Sequence, residues 1–149
     1  MNAASFFTKQ QKAGILASIK EAERATSGEI RVHIETSCRE DVLDRAAWIF
    51  NKLNMYKTVD RNGVLFYLAV NDRKFAVIGD GGINAIVSEG FWDEIKEDME
   101  KHFREGKFTE GLSQGILMTG SQLKTHFPYR NDDVNELSDE ISFDKLNGE

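Results

Sequence analysis

The stretch GVLFYLAV, from Gly63 to Val70, constrains the fold more than any other part of the chain. Nearly every position is apolar. It is too short for a typical helix and rich in residues that favour strands. Successive side chains of a strand point to opposite faces. A strand that is apolar throughout must therefore be covered on both faces. The polar residues Asn71-Asp72-Arg73 follow, and then a second apolar run, KFAVIG, from Lys74 to Gly79. Two strands joined by a tight polar turn form an antiparallel hairpin. Helices must lie on both sides of the sheet that contains it.

The flanking sequence supplies those helices. Between Thr8 and Ala25, Ile15, Leu16, Ile19 and Ala22 recur with helical spacing, and Thr8 can cap the start. Ser27-Gly28 ends that helix. Ile30, Val32 and Ile34 then alternate with Arg31, His33 and Glu35, the pattern of a strand near 30–34. Ala46, Ile49, Phe50 and Leu53 mark a second helix over about 41–54. Beyond the hairpin, INAIV reads as a short helix. Phe91, Ile95, Met99 and Phe103 define a longer one that Gly106 stops. Phe108, Leu112, Ile116 and Leu123 define the last, which ends before Pro128. Gly111 and Gly115 lie one turn apart on it and permit close packing. Trp92 beside Phe91 reads as core.

The first strand, second helix and second strand form a βαβ unit, whose crossover is parallel and right-handed in nearly all proteins. The expected architecture is a three-layer αβα sandwich. Its sheet is small and mixed, a βαβ unit plus an antiparallel hairpin, with helices on both faces. The expected domain spans 1–128, and an acidic, flexible tail spans 129–149.

Charge and composition narrow the functional classes. Of the net −6, the segment from Tyr129 carries −5, with seven acids against two bases. No basic stripe interleaved with aromatics exists, which argues against nucleic acid as a partner. No run of about 18 apolar residues exists, so nothing is expected to span a membrane. The N-terminal MNAASFFTKQQK has no signal-peptide pattern, and the expected location is the cytoplasm. The single cysteine, Cys38, excludes an internal disulfide and a multi-thiolate zinc site, and reads as a small loop residue. His33, His102 and His126 are far apart in sequence. His33 reads as a strand-face residue, the other two as helix-surface or helix-end residues.

The predicted topology brings three loops together. If the first two strands are parallel, their starts share one edge of the sheet, and the returning hairpin strand ends there too. Ser27-Gly28-Glu29, Asp60-Arg61-Asn62-Gly63 and Gly79-Asp80-Gly81-Gly82 then converge. Glu35, Thr36, Cys38 and Asp72 go to the opposite edge. Taken singly, Asp60 is a turn residue, Asp80 a helix cap and Glu29 a solvated strand start. Converging carboxylates repel unless a cation neutralises them. Oxygen donors on glycine-containing loops suit a hard ion, Ca²⁺ or Mg²⁺. The candidate ligands are Asp60, Asp80 and Glu29, with Asn62 adding a neutral oxygen. Sharper motifs fail: Leu65 and Asn71 stand where an EF-hand starting at Asp60 needs glycine and glutamate, and GDGG is not followed by the Lys-Ser/Thr of a phosphate loop.

SGEIRVHIE, DRNGVLFYLAVNDRKFAVIGDGGI, FWDEI and GKFTEGL together resemble the TPM domain over about residues 8–127. That family includes a thylakoid-lumen acid phosphatase-like protein, photosystem II repair factors and many bacterial proteins. Its most specific features are an Asp before an Asn-Gly and an apolar strand, the DRK turn and the G-x-G run. Here Asp60 stands two residues before Asn62. The resemblance implies an αβα sandwich and binding of Ca²⁺ or a similar ion by acidic loop residues, carried over onto Asp60 and Asp80. It also implies a phosphatase, yet this chain has no Cys-x₅-Arg, no D-x-D-x-[TV] and no histidine cluster. Most bacterial relatives carry a signal peptide and an anchor, and neither is expected from this sequence.

Two functions follow as expectations. One is a divalent-cation-binding module with an interaction role in protein maintenance, whose partners are the ion and another protein. The other is a metal-assisted acid phosphatase, in which Asp60 or Asp80 holds the ion and Arg61 contacts phosphate.

Overall fold

The computed structural model describes residues 2–129 and 141–144. The elements run α1 (Ala3–Phe6), α2 (Lys9–Glu23), β1 (Glu29–Glu35), α3 (Val42–Lys52), β2 (Gly63–Ala69), β3 (Lys74–Gly79), α4 (Gly81–Asn84), α5 (Phe91–Arg104), α6 (Phe108–His126) and β4 (Ile141–Phe143). The sheet order is β3-β2-β1-β4. β1 and β2 are parallel with Glu29 opposite Gly63, and β2 and β3 antiparallel with Val64 opposite Gly79. The αβα sandwich expected from the sequence is the fold observed.

Local chemistry explains the boundaries. Thr8 and Gln11 form a reciprocal capping box at the start of α2. The Asp41 carboxylate accepts from the amides of Leu43 and Asp44 at the start of α3. Gly106, at φ 75°, lets the chain turn between α5 and α6. The hairpin turn places Arg73 at φ 53°, a conformation its side chain disfavours.

All seven residues of β2 are buried, as a strand covered on both faces requires. The two faces differ in what covers them. Val64, Phe66 and Leu68 join Ile30, Val32 and Ile34 of β1 under α1, α2, α5 and α6. Leu65, Tyr67 and Ala69 face α3, packing with Ala46, Ile49 and Phe50. Both final helices thus lie on one face, an allocation that periodicity cannot reveal. Trp92 packs at the edge of the larger core and donates from its indole nitrogen to Asn84 Oδ1 at 2.9 Å.

β4 is the element that sequence patterning misses. Within the segment read as a flexible tail, Ile141–Phe143 pairs in parallel with Val32–Ile34. The rest of that segment, 130–140 and 145–149, lies outside the described residues. Three residues are too few for a periodic signal. Among the described residues, no helix is long and apolar enough to cross a membrane.

The glycines of α6 serve packing. A Cβ at Gly115 would lie 2.8 Å from Met99 Sδ, and one at Gly111 2.7 Å from a Phe103 ring carbon. A Cβ at Gly120 would lie 2.5 Å from Ala22 Cβ and 2.7 Å from Ala22 Cα, where α2 cannot yield without backbone movement. Gly14 has open space around its missing Cβ in the middle of α2. Gly120→Ala is expected to lower stability by about 1–3 kcal/mol through overpacking. Gly14→Ala is expected to raise it by about 0.5–1 kcal/mol through helix propensity. Urea unfolding of both variants checks the contrast.

Candidate functional site

The three loops do converge. The Glu29 amide donates to Asn62 O at 3.3 Å, the Asp80 amide to Gly63 O at 2.9 Å, and the Gly82 amide to Arg61 O at 2.8 Å. The approach is close enough to demand glycine. A Cβ on Gly82 would lie 2.0 Å from Asp60 O and 2.6 Å from Arg61 O. Arg61 itself sits at φ 51°, which turns the Asp60-Arg61 loop toward Gly82.

Their carboxylates have separate tasks. Asp80 accepts two parallel bonds from Arg61, Nε to Oδ2 at 2.7 Å and a terminal guanidinium nitrogen to Oδ1 at 2.8 Å. It also caps α4, accepting from the Gly81 amide at 2.7 Å. Burial pushes the Asp80 pKa up, but the Arg61 bonds and the Gly81 amide outweigh it and hold the carboxyl below its ordinary value. Asp80 is 7% exposed, whereas the Arg61 side chain is 56% exposed. Glu29 is buried at the start of β1, and Asp60 is half-buried in its turn.

Asn62 is the fourth expected ligand. Its side-chain amide nitrogen reaches Ser27 Oγ at 3.4 Å, and its backbone amide donates to Thr58 Oγ1 at 3.2 Å. The residue is 1% exposed, and its side-chain oxygen has no hydrogen-bond partner. Such an atom carries an uncompensated desolvation cost.

Among the described residues, no group of three or more His, Cys, Asp or Glu stands ready to hold a metal ion. Topology joins the loops, while Arg61, read from sequence as a phosphate contact, neutralises Asp80 directly. Donor chemistry nonetheless fits a hard cation: every candidate side chain offers oxygen, and Asn62 holds one oxygen unused.

The opposite edge carries a buried polar network that sequence reading missed. Glu35 accepts from Tyr67 Oη at 2.5 Å and from Arg45 Nε at 2.9 Å, with a second bond from the same guanidinium. His33, fully buried, lies with Nε2 3.2 Å from Glu35 and Nδ1 2.7 Å from Ser142 Oγ on β4. Burial raises the Glu35 pKa, but bonds from His33, Arg45 and Tyr67 overcome it and lower the pKa to about 2. Burial, and then the Glu35 bond, push the Tyr67 hydroxyl far above its usual range. A cleft of about 440 Å³ opens beside this network, lined by Glu35, Ser37, Cys38, Arg45 and Asp144 among others. Cys38 is buried beneath it, its thiol bonded to Glu40 O at 3.3 Å and its amide to Asp72 at 2.6 Å. The available signal was polar alternation: Arg31, His33 and Glu35 occupy the β1 face that looks toward Leu65 and Tyr67.

This is a three-layer αβα domain built around a doubly covered hairpin, with its acidic loops tied together at one edge. A model of the TPM domain matches residues 1–122, and the chain belongs to that family. It is similar to the BA42 protein of the psychrophilic bacterium Bizionia argentinensis, solved by NMR, with 43% identity and a TM-score of 0.87. The match covers 93% of this chain and 96% of that one. The N-terminal domain of a P. gingivalis protein shares the fold at 22% identity and TM-score 0.67, covering 83% of this chain and 80% of that one. The N-terminal domain of the cg2496 protein from Corynebacterium glutamicum does so at 11% and 0.64, covering 91% and 80%. A search of curated proteins found no match.

The Glu35 network has a pH consequence. Its folded pKa lies below the ordinary 4.5, so its contribution is complete above about pH 4.5 and is lost as pH falls toward about 2. Glu35→Gln is expected to cost about 2–4 kcal/mol at neutral pH, because Arg45 loses its buried partner. The variant's stability should also fall less steeply below pH 4.5. Urea midpoints measured from pH 7 to pH 3 check both statements.

Proposed function

We propose that this TPM-domain chain is a divalent-cation-binding module that takes Ca²⁺ or Mg²⁺ at the three-loop junction and acts through interaction, in a protein-maintenance role. The observation that carries the reading is the buried Asn62 side-chain oxygen without a hydrogen-bond partner, beside the meeting point of three carboxylate-bearing loops. Asp80, Asp60, Glu29 and Asn62 would supply oxygen ligands, and the ion would supply positive charge at the junction. Arg61 is the built-in competitor. Its guanidinium satisfies Asp80, and its exposed side chain is free to swing into water when a cation enters. A bidentate Arg–carboxylate pair is specific and hard to displace. Affinity is therefore expected to be modest, with Kd on the order of 0.1–1 mM.

This exchange makes a prediction opposite to a purely structural role for Arg61. Backbone amide shifts are followed while Ca²⁺ and Mg²⁺ are titrated into wild type, Arg61→Ala and Asp80→Asn. Saturable shifts near 27–29, 60–63 and 79–83 are expected in the wild type. Arg61→Ala should bind several-fold more tightly, and Asp80→Asn should lose binding. At ten times Kd the wild type should gain about 1.4 kcal/mol of stability. Equal or weaker binding by Arg61→Ala would reject the exchange. The metal-assisted acid phosphatase alternative rests on the family resemblance. It would replace the interaction reading if the purified chain released phosphate in a metal-dependent manner that Asp80→Asn abolished with the fold intact.

A further inference from the structure

The last strand looks like a peptide seated on a receptor. Its three residues, and Asp144 directly after them, each meet a matched feature at the β1 edge. Ile141 and Phe143 rest against the larger core, and the Lys12 ammonium lies 4.9 Å from the centre of the Phe143 ring. Ser142 Oγ meets His33 Nδ1 at 2.7 Å. The Asp144 amide donates to Ile34 O at 2.8 Å. Its carboxylate accepts from the Thr36 amide at 2.7 Å and the Thr36 hydroxyl at 2.8 Å.

The receptor also has an end. Alternate residues of β1 direct their backbone groups to alternate sides, and Ile34 bonds outward to Asp144. Ile30 faces the same outer side, and its amide is capped by the Glu23 carboxylate at 2.7 Å instead of by a strand. The edge therefore offers a bounded site from Val32 to Thr36, long enough for about four residues of extended chain.

The hold on β4 is one-sided. It is a three-residue strand at the rim of the sheet, and all four residues 141–144 are only partly buried. Strands usually have about five or six residues. Short, partly exposed rim elements open at the low end of the local-unfolding scale.

We propose that the outer edge of β1 is a peptide-binding site and that Ile141–Asp144 is its resident occupant. An extended segment of a partner protein with the order apolar, Ser or Thr, apolar, Asp replaces it by adding parallel to β1. Backbone bonds to Val32–Ile34 supply affinity, as in other strand-addition complexes. His33, Thr36 and the core beneath Phe143 supply sequence selectivity. The partner must outcompete the resident strand, which belongs to the same chain and so competes intramolecularly.

The test uses the full-length chain and a synthetic peptide, EISFDKL, taken from its own residues 140–146. In the variant Ile141→Asp/Phe143→Asp the resident strand is weakened while the receptor residues are unchanged. This variant should bind the peptide saturably, with amide shifts at Val32, Ile34 and Thr36. The wild type should bind it at least about tenfold more weakly because the resident strand of the same chain competes. A scrambled peptide should not bind, and adding Thr36→Ala to the variant should weaken binding several-fold. No binding by a folded variant overturns the proposal. Should the variant not fold, hydrogen exchange in the wild type decides. An Asp144 amide that exchanges far faster than the β1–β2 ladder supports an exchangeable strand, and equal protection overturns it. Concentration-dependent dimers with shifts at the same residues would assign the edge to a second copy of this chain and overturn the partner assignment.

Discussion

Burial of β2 on both faces is the constraint on which the rest of the structure depends. Seven consecutive buried residues cannot be sheltered by one layer, because their side chains alternate between faces. The sheet must sit between helices, and the parallel β1–β2 pairing must be reached through a crossover helix, α3. Once β1 and β2 are parallel and β3 returns antiparallel, the starts of β1 and β2 and the end of β3 share one edge. The loop junction follows from the burial of a strand.

The two faces of that sheet accept very different side chains from β1. Toward α2, α5 and α6 it presents Ile30, Val32 and Ile34. Toward the α3 side it presents Arg31, His33 and Glu35, of which His33 and Glu35 are buried. A buried carboxylate is tolerated only when its oxygens are fully engaged. Tyr67, His33 and Arg45 together supply that engagement, drawing on β1, β2 and α3. Because Ser142 completes the His33 contacts, the same network links β4 to the middle of the sheet. The two edges thus follow one rule, in which an arginine from a neighbouring segment neutralises a buried acid: Arg61 for Asp80 and Arg45 for Glu35.

Much of the fold was legible because period-two and period-3.6 patterns report burial directly. The α2 capping box, the Asp41 cap, the hairpin and the stop at Gly106 are written in short-range chemistry. The candidate site was legible to the level of segments. The expectation that the loops starting at Ser27, Asp60 and Gly79 meet is what the structure shows. The arrangement of their side chains was not legible, since Arg61 and Asp80 are nineteen positions apart and their pairing depends on a left-handed turn at Arg61. Asp80 caps α4, as one of its two readings had it, and is also the ion-pair partner of Arg61. β4 was illegible for a different reason: a three-residue strand in an acidic context carries no periodic signal, and its pairing partner lies more than a hundred residues away.

The sequence by itself determined the strand that must be buried, the helices that cover it and the edge where its acidic loops meet. These follow from side-chain alternation and local capping, which need no distant partner. Tertiary structure alone decided which helices share a face and which cation faces each acid. It also decided that the rim of β1 is filled by Ile141–Phe143. Those outcomes rest on contacts between residues remote in sequence, whose geometry is fixed only when the layers close.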